Sequence, residues 1–414
     1  MRLPRIFGGN PAPVETKESR AGVTLVQSPG QPAWMKRDTV AFSKEGYSQN
    51  VIAFRCVHAT AQAASSVRWE SWRGETEVTD SDIVKLFTRP NPKQTWGELI
   101  EAAVSNLRIS GNCYFERVTL NGTLRELYVL RSDRMRVIEG AAGIPAGYEY
   151  EGPNGRKIRW DVEPDGSSDI LHIKEFHPLS DWYGMSPMEA GAYSIDNHNE
   201  AQAWMKSLLA NSARPSGILS AEGTLGDEQF HNLKEQLEST FQGASNAGRP
   251  MLLEGGMNWQ TVSFSPSDMG IQEQKDSSAR DICLAMGVPP LLIGIQGDNT
   301  YANYAEARLA FWEDSVTPLV NRLAEYLTLW LGAETDEEIR PNFDHIPAIA
   351  EKMASKWDMA DKSTDLTVNE RRALKGYEPI EGGDVLASTA APEPDMNEDD
   401  QALIKAAYGT VDRL

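Results

Sequence analysis

Long apolar runs are missing from this 414-residue chain. None approaches the roughly 18 consecutive apolar residues of a membrane span, and the opening Met1-Arg2-Leu3-Pro4-Arg5-Ile6-Phe7-Gly8-Gly9-Asn10 has no apolar signal core. The expectation is a protein that uses no membrane and stays in the compartment where it is made. Cysteine is scarce: Cys56, Cys113 and Cys283 lie far apart without metal-ligand spacing, which favours reduced, buried thiols over a disulfide framework. Positive charge is short as well. Lys and Arg number 40 against 60 Asp and Glu, a net charge of -20, and tight nucleic-acid binding works by neutralising phosphates with cations. Taken alone, the charge argues against a protein that grips DNA.

Catalytic signatures are also wanting. There is no Gly-x-x-x-x-Gly-Lys-Ser/Thr phosphate loop. Gly184-Met185-Ser186-Pro187-Met188 lacks the second glycine of a nucleophile elbow, and its serine reads as a helix cap. His58, His172, His177, His198, His231 and His345 are dispersed without the close pairs of a helical zinc site. His172 and His177 flank an expected strand and should point apart. Acid clusters such as Asp227-Glu228 and Asp336-Glu337-Glu338 read as helix starts or exposed faces. No catalytic, cofactor-binding or metal-ligating residue is assigned, and no cofactor is expected.

What is present is organisation. With 40% hydrophobic and 24% charged residues the chain reads as soluble and globular, and its length suggests two or three modules. Residues 1–45 hold scattered Pro and Gly with little apolar periodicity and read as a flexible arm, with order expected from about Gln49. A helix over about 51–67 feeds a strand at Val67-Arg68-Trp69-Glu70-Ser71-Trp72. A second helix over 96–109 is opened by the capping box of Thr95 and Glu98. Asn121-Gly122 between two apolar segments is a strong hairpin signal, and another turn is expected at Pro153-Asn154-Gly155. This third of the chain is a mixed α+β module.

Ser186-Pro187-Met188-Glu189 opens a polar, Ala-rich helix that can run to about Ala210 before Arg214-Pro215 stops it. A matching polar helix is expected from Ser265, Pro266 and Asp268 to Gly287-Val288-Pro289-Pro290; from Ser267 to Met286 it would be roughly 30 Å long. Its body, Gln272-Glu273-Gln274-Lys275-Asp276-Ser277-Ser278-Ala279-Arg280-Asp281, is polar on nearly every face. Such a helix bridges domains, is laced by side-chain pairs, or packs on copies of itself beside an aqueous space. Between the two helices lie a strand at Gly217-Ile218-Leu219, an amphipathic helix with Phe230, Leu233, Leu237 and Phe241 on one face, and strands near Met251 and Gln260. The pattern is a small α/β unit at the tip of a helical hairpin. After a loop from Ile295 to Asn303, Asn303 and Glu306 should cap a helix carrying Leu309, Trp312, Val316, Leu319, Leu323, Tyr326 and Trp330 on one face, bent at Pro318. A helix near 348–359 follows, then a short one capped by Thr367 and Glu370 and ended by Gly376. The acidic segment 387–400 reads as a solvated linker, and the amphipathic stretch 402–408 beyond it reads as a frayed helix or, alternatively, a docking peptide.

An ordered set of short patterns resembles the portal proteins of long-tailed, siphovirus-type bacteriophages. It comprises Arg89-Pro90-Asn91-Pro92 with Thr95, Gly111-Asn112-Cys113-Tyr114, Ile170-Leu171-His172-Ile173, Gly184-Met185-Ser186-Pro187, Arg214-Pro215-Ser216-Gly217-Ile218-Leu219, Met251-Leu252-Leu253-Glu254-Gly255-Gly256, the stretch 282–294 and Thr300-Tyr301-Ala302-Asn303. Each is weak alone; the ordered set, spanning about 46–385, is specific. The resemblance implies an α+β fold with an arm (1–45), an α/β wing (46–183), stem helix 1 (184–212), an inserted clip (213–264), stem helix 2 (265–289), a tunnel loop (290–303), a long kinked helix with wing return (304–344), a helical crown (345–386) and an acidic tail (387–414).

It further implies a ring of twelve subunits at one capsid vertex, assembled in the bacterial cytoplasm, that does no covalent chemistry and passes double-stranded DNA with weak, non-specific contact. Lys275, Arg280, Gln296, Asp298, Asn299, Thr300 and Tyr301 would face the channel. An acidic conduit is compatible with a duplex that must slide. Phe230, Lys234, Gln242, Asn246 and Arg249 of the clip would dock partners: the terminase large subunit first, a head-completion adaptor later, with major capsid and scaffold proteins around the ring. The alternatives are the portal of a domesticated prophage or gene transfer particle packaging host DNA and, in another class, a phage-encoded hydrolase with an unrecognised site.

Overall fold

The computed structural model describes residues 35–210, 217–220, 231–232, 258–261, 270–295, 301–332 and 335–386. Order starts earlier than the composition suggests. Asp38 caps a turn, α1 (Thr39–Ala41), by accepting from Ala41 N at 2.8 Å, and a π-helical stretch, Phe42–Tyr47, continues it. Met35 and Phe42 are buried in the main core, so the arm expected over 1–45 is overturned for 35–45. Two apolar side chains outweigh the scattered Pro and Gly upstream.

Asn50 then caps α2 (Val51–Ser65), its Oδ1 accepting from Ile52 N and Ala53 N, both at 3.0 Å. The buried face of α2 carries Ala53, Cys56, Val57, Ala61 and Ala64. These small residues let α4 (Trp96–Ser110) pack against it, after the short α3 (Asp82–Thr88). The capping box of Thr95 and Glu98 is formed, and Leu99, Ile100, Ala103, Val104 and Leu107 give α4 its helical stripe toward the core. Truncating one such side chain, Leu107→Ala, removes about 2–5 kcal/mol.

The sheets are antiparallel and small. β1 (Arg68–Arg73) lies between β2 (Thr76–Val78) and the late β11 (Glu338–Asn342), which returns to it across most of the chain. β3 (Asn112–Leu120) lies between β4 (Thr123–Leu130) and β8 (Ile170–Lys174). The β3–β4 turn has Asn121 at φ 53° and Gly122 at φ 75°, the two positive values a type I′ hairpin needs. A third sheet joins β5 (Met135–Ile138), β6 (Gly147–Glu151) and β7 (Lys157–Asp161), with Gly155 at φ 70° in the last turn. Beyond α5 (Pro187–Ala190) and α6 (Ala192–Ala210), β9 (Gly217–Ser220) pairs with β10 (Asn258–Thr261). Most of the segment between those strands, including the expected amphipathic helix and Met251, lies outside the described residues.

Two helix starts differ from expectation. The helix expected from Ser265 is described as α7 (Ile271–Met286), preceded by Gly270, left-handed at φ 59°; Ser265, Pro266 and Asp268 lie outside the described residues. Its stop is as expected, with Gly287 left-handed at φ 66°. Nor is α7 polar all round. Ser278, Ala279, Ile282, Cys283 and Met286 form a buried stripe in its C-terminal half.

The prolines after Gly287 start a short helix, α8 (Pro290–Ile293), with proline at its first position. The next helix, α9 (Tyr301–Ala310), begins before Asn303 and Glu306, so Tyr301 opens a helix rather than ending a loop. A π-helical stretch, Phe311–Val316, then leads to α10 (Thr317–Leu331). Thr317 N–H donates to Trp312 O, five residues back, just before Pro318 withdraws its own donor. The irregularity expected at Pro318 therefore takes the form of a wide turn. Trp312, Val316, Leu319, Val320, Leu323 and Leu327 are buried along this helix, as its periodicity predicts. α11 (Pro347–Lys362) and α12 (Val368–Leu374), the latter with its Thr367–Glu370 capping box, complete the described chain.

Candidate assembly and channel site

The two stem helices leave the core side by side. Gly191, where α5 gives way to α6, would place a Cβ 3.3 Å from Ala285 Cβ of α7, so the helices approach closely there. Ser194 Oγ donates to Asp281 Oδ2 at 3.4 Å across the same seam. Met188 of α5, Ala192 and Ile195 of α6, and Ile282, Cys283 and Met286 of α7 enter the main core.

Stem helix 1 is polar for a reason within its own chain. His198 is buried, and its Nδ1 accepts from Asn50 Nδ2 at 3.2 Å and Gln202 Nε2 at 3.3 Å, which assigns the ring proton to Nε2. Burial lowers its pKa, and the charge of Lys275 lowers it further. Asp196, also buried, accepts from Met35 N at 3.2 Å, and burial raises its pKa. Asn199 Nδ2 donates to Glu45 O at 3.0 Å. A polar helix face thus clamps the segment from Met35 to Asn50.

The base of stem helix 1 is fixed by close backbone contact. Ser186 Oγ accepts from Met188 N at 3.0 Å and lies 2.8 Å from Ile109 O and 3.0 Å from Arg108 O, to which its proton can be donated. Asn112 is buried: its Oδ1 accepts from Gly184 N at 2.7 Å and its Nδ2 donates to Ser110 O at 2.7 Å. The imidazole of His172 lies 3.0 Å from the same Oδ1 and stacks on Tyr114 at 4.2 Å. Burial pushes the pKa of His172 down to about 3, with Lys174 adding to the effect. His177 sits beyond the strand, its Nδ1 accepting from Leu179 N at 3.0 Å, so the two histidines do not converge. Glu175 and Arg322 of α10 form a bidentate pair at 2.7 Å on both arms, which raises the pKa of Arg322. Sequence reasoning flagged Gly111-Asn112 and Gly184 as patterns. It could not see that they touch, because their partners are distant in the chain.

Of the channel candidates, Lys275 and Arg280 are the two whose side chains are described, and the structure does not bring them together. Five residues separate them, about 140° around the helix. Lys275 is half-buried beside His198; Arg280 is exposed and lines a groove with Leu284, Pro289 and Phe311. Gln296, Asp298, Asn299 and Thr300 lie outside the described residues, as do Phe230, Lys234, Gln242, Asn246 and Arg249 of the clip. Cys56 and Cys283 are not as separate as their spacing suggests: both are buried free thiols, with Sγ atoms 3.8 Å apart. Among the described residues, no three metal-capable side chains cluster and no helix is long and apolar enough to cross a membrane.

The sequence profile of the phage portal proteins matches residues 52–376, from α2 through the stem to the end of α12. The chain belongs to the phage portal family. Its mixed helix-and-sheet architecture is the portal fold. An uncharacterised protein of Rickettsia bellii is 38% identical over 351 residues, covering 83% of this chain and 90% of that protein. The portal protein of Enterobacteria phage HK97 is 24% identical, covering 74% and 72%. The neck of a native gene transfer agent particle, computed with C12 symmetry, superposes with a TM-score of 0.65 at 44% identity, covering 85% of this portal chain and 96% of the neck chain.

Proposed function

We propose that twelve copies of this chain close into a ring at one vertex of a capsid, forming the channel through which double-stranded DNA enters and leaves. The observation that carries this reading is the 44% identity, over 85% of the chain, to a neck built with C12 symmetry. The protein does no covalent chemistry in this reading. A separate terminase large subunit hydrolyses ATP and docks on the clip (213–264) through residues such as Phe230, Lys234, Gln242, Asn246 and Arg249, and a head-completion adaptor replaces it. Major capsid and scaffold proteins surround the ring, which assembles in the bacterial cytoplasm.

Within the ring, the loop 290–303 narrows the bore, with Gln296, Asp298, Asn299, Thr300 and Tyr301 against the duplex and Lys275 and Arg280 forming cationic bands on the stem. Contacts of this kind touch phosphates without reading sequence. The surplus of acids, 60 against 40 bases, keeps the conduit from holding the polyanion. The same neck similarity favours a second reading of context, a gene transfer particle that packages host DNA; sequencing the nucleic acid recovered from particles separates the two. Light scattering with negative-stain images of the same peak tests the first reading. A ring of about twelve chains with an axial hole is expected, and chains that fail to close even with capsid and scaffold present refute it.

A further inference from the structure

Two of the bare apolar features among the described residues lie beside the stem, and neither covers the other. The first is the loop between β8 and α5, residues 175–184, where Phe176 is 84% and Leu179 is 91% exposed. Such exposure normally accompanies a loose loop, but this one is tied at both ends and in the middle. Glu175 N donates to Gly111 O at 2.8 Å, and its carboxylate holds Arg322. Lys174 Nζ donates to Asp181 O, Tyr183 OH accepts from Val137 N at 3.0 Å, and Gly184 N donates to Asn112. Trp182 packs on the second, smaller core. The loop is therefore a braced knob that offers two apolar side chains with little ordering entropy left to lose.

The second feature is a groove of about 470 Å³ at the C-terminal end of stem helix 2. Leu284, 81% exposed, lines it together with Val288, Pro289, Pro290 and Phe311, and Arg280, Asp281 and Asp314 add charge beside them. Monomeric soluble proteins rarely leave apolar surface of this kind uncovered without a partner.

We propose that the Phe176–Leu179 knob of one subunit seats in the Leu284–Phe311 groove of the next, fastening the ring at the base of its stem. The inference rests on the ring proposed above. Cyclic closure beyond a dimer needs a heterologous interface, in which one surface of a subunit meets a different surface of its neighbour. A bare knob and a bare groove on the same chain are that pair. Both also border the stem: the knob's chain enters α5 directly, and the groove is cut from α7 and the turn that follows it. A second copy is thus the occupant that repeats around the axis without a further protein.

The test uses the full chain in two variants, Phe176→Ser with Leu179→Ser, and Leu284→Arg. All three positions are exposed, so circular dichroism should show wild-type folding. Loss of the knob's two apolar side chains weakens each contact by about a hundredfold, and an arginine at position 284 places an unpaired charge against the seated knob, so either variant alone should run as a monomer where the wild type forms rings. Mixed one to one, each variant keeps one intact surface, and the mixture should form a one-to-one heterodimer that does not grow. Rings formed by either folded variant alone overturn the knob-and-groove contact and leave the ring standing. A wild-type chain that never closes into a ring overturns the ring reading, and this contact with it.

Discussion

Gly111→Ala should be far more damaging than its size suggests, and the structure supplies its own control. Gly111 ends α4 at φ 73°, where an L side chain costs about 1–2 kcal/mol. An added Cβ would also lie 2.6 Å from Met185 C and 2.7 Å from Gly184 O. Both are backbone atoms of the segment leading into stem helix 1, which no rotamer change can move aside. Overpacking of this kind costs about 1–3 kcal/mol, for a total of about 2–5 kcal/mol. Gly155 has nearly the same backbone, φ 70°, but its Cβ would meet nothing within 4 Å. Gly155→Ala should therefore cost only the backbone part, about 1–2 kcal/mol.

Urea titration of the unassembled chain, followed by far-ultraviolet circular dichroism, reads the difference. The midpoint of Gly111→Ala should fall by about 1 M, and by two to three times the shift of Gly155→Ala. Gly184 approaches Gly111 from the other side, its Cβ 2.1 Å from Gly111 O, so once one substitution has parted the two backbones the second meets less resistance. The double variant should then cost less than the sum of the singles. Equal shifts for Gly111→Ala and Gly155→Ala would refute the claim that this contact holds the stem base.

Other consequences follow from the same region. With its pKa pushed down to about 3, His172 stays neutral in the folded chain while the unfolded chain takes up its proton below about pH 6.5, so its contribution is full at neutral pH and lost as pH falls from 6.5 toward 3. The loss is about 2 kcal/mol at pH 5, and His172→Gln should flatten that part of the stability–pH curve relative to wild type. Ser186→Ala removes a helix cap and a tie to the end of α4, costing about 1–2 kcal/mol by urea titration. Burial pushes the Cys113 thiol up, and Cys56, Cys113 and Cys283 are all buried, so a thiol reagent should label none of them in the folded chain and all three on unfolding. Lys275→Ala should leave rings intact in negative stain and lower the DNA packaged per particle; failure to assemble would make Lys275 a strut rather than a channel residue.

What could be read from the sequence was local. Thr95 with Glu98, Asn121-Gly122, Ser186-Pro187, Gly287 and the 309–330 stripe each state their own geometry within a few residues, and each is realised. The arm failed at Met35 and Phe42 because their partners lie elsewhere in the chain: Met35 N, for one, donates to Asp196. The polarity expected on nearly every face of residues 272–281 gives way at Ser278 and Ala279, because small residues are what close helix packing selects. Likewise the pairing of Glu175 with Arg322, and of Asn112 with Gly184, is set by tertiary placement and leaves no periodic trace.

The polarity of the stem is the point at which the two levels meet. Were α6 and α7 polar only to face water in a bore, their polar side chains would stand exposed; instead Asp196, His198 and Ser278 are buried, and both Asp196 and His198 have partners in their own chain. Polarity therefore does two jobs at different heights. Near the core it clamps the helices to Asn50 and Met35, where unpaired groups would be costly. Farther out, Ala203, Met205, Lys206 and Ser207 on α6 and Gln272, Glu273 and Gln274 on α7 are exposed in the single chain. In the ring proposed above, those outer positions join Lys275 and the Leu284 groove as surface available to neighbouring subunits and the channel. Substitutions there should change assembly or DNA passage with little effect on folding, whereas substitutions at Asp196 or His198 should do the reverse.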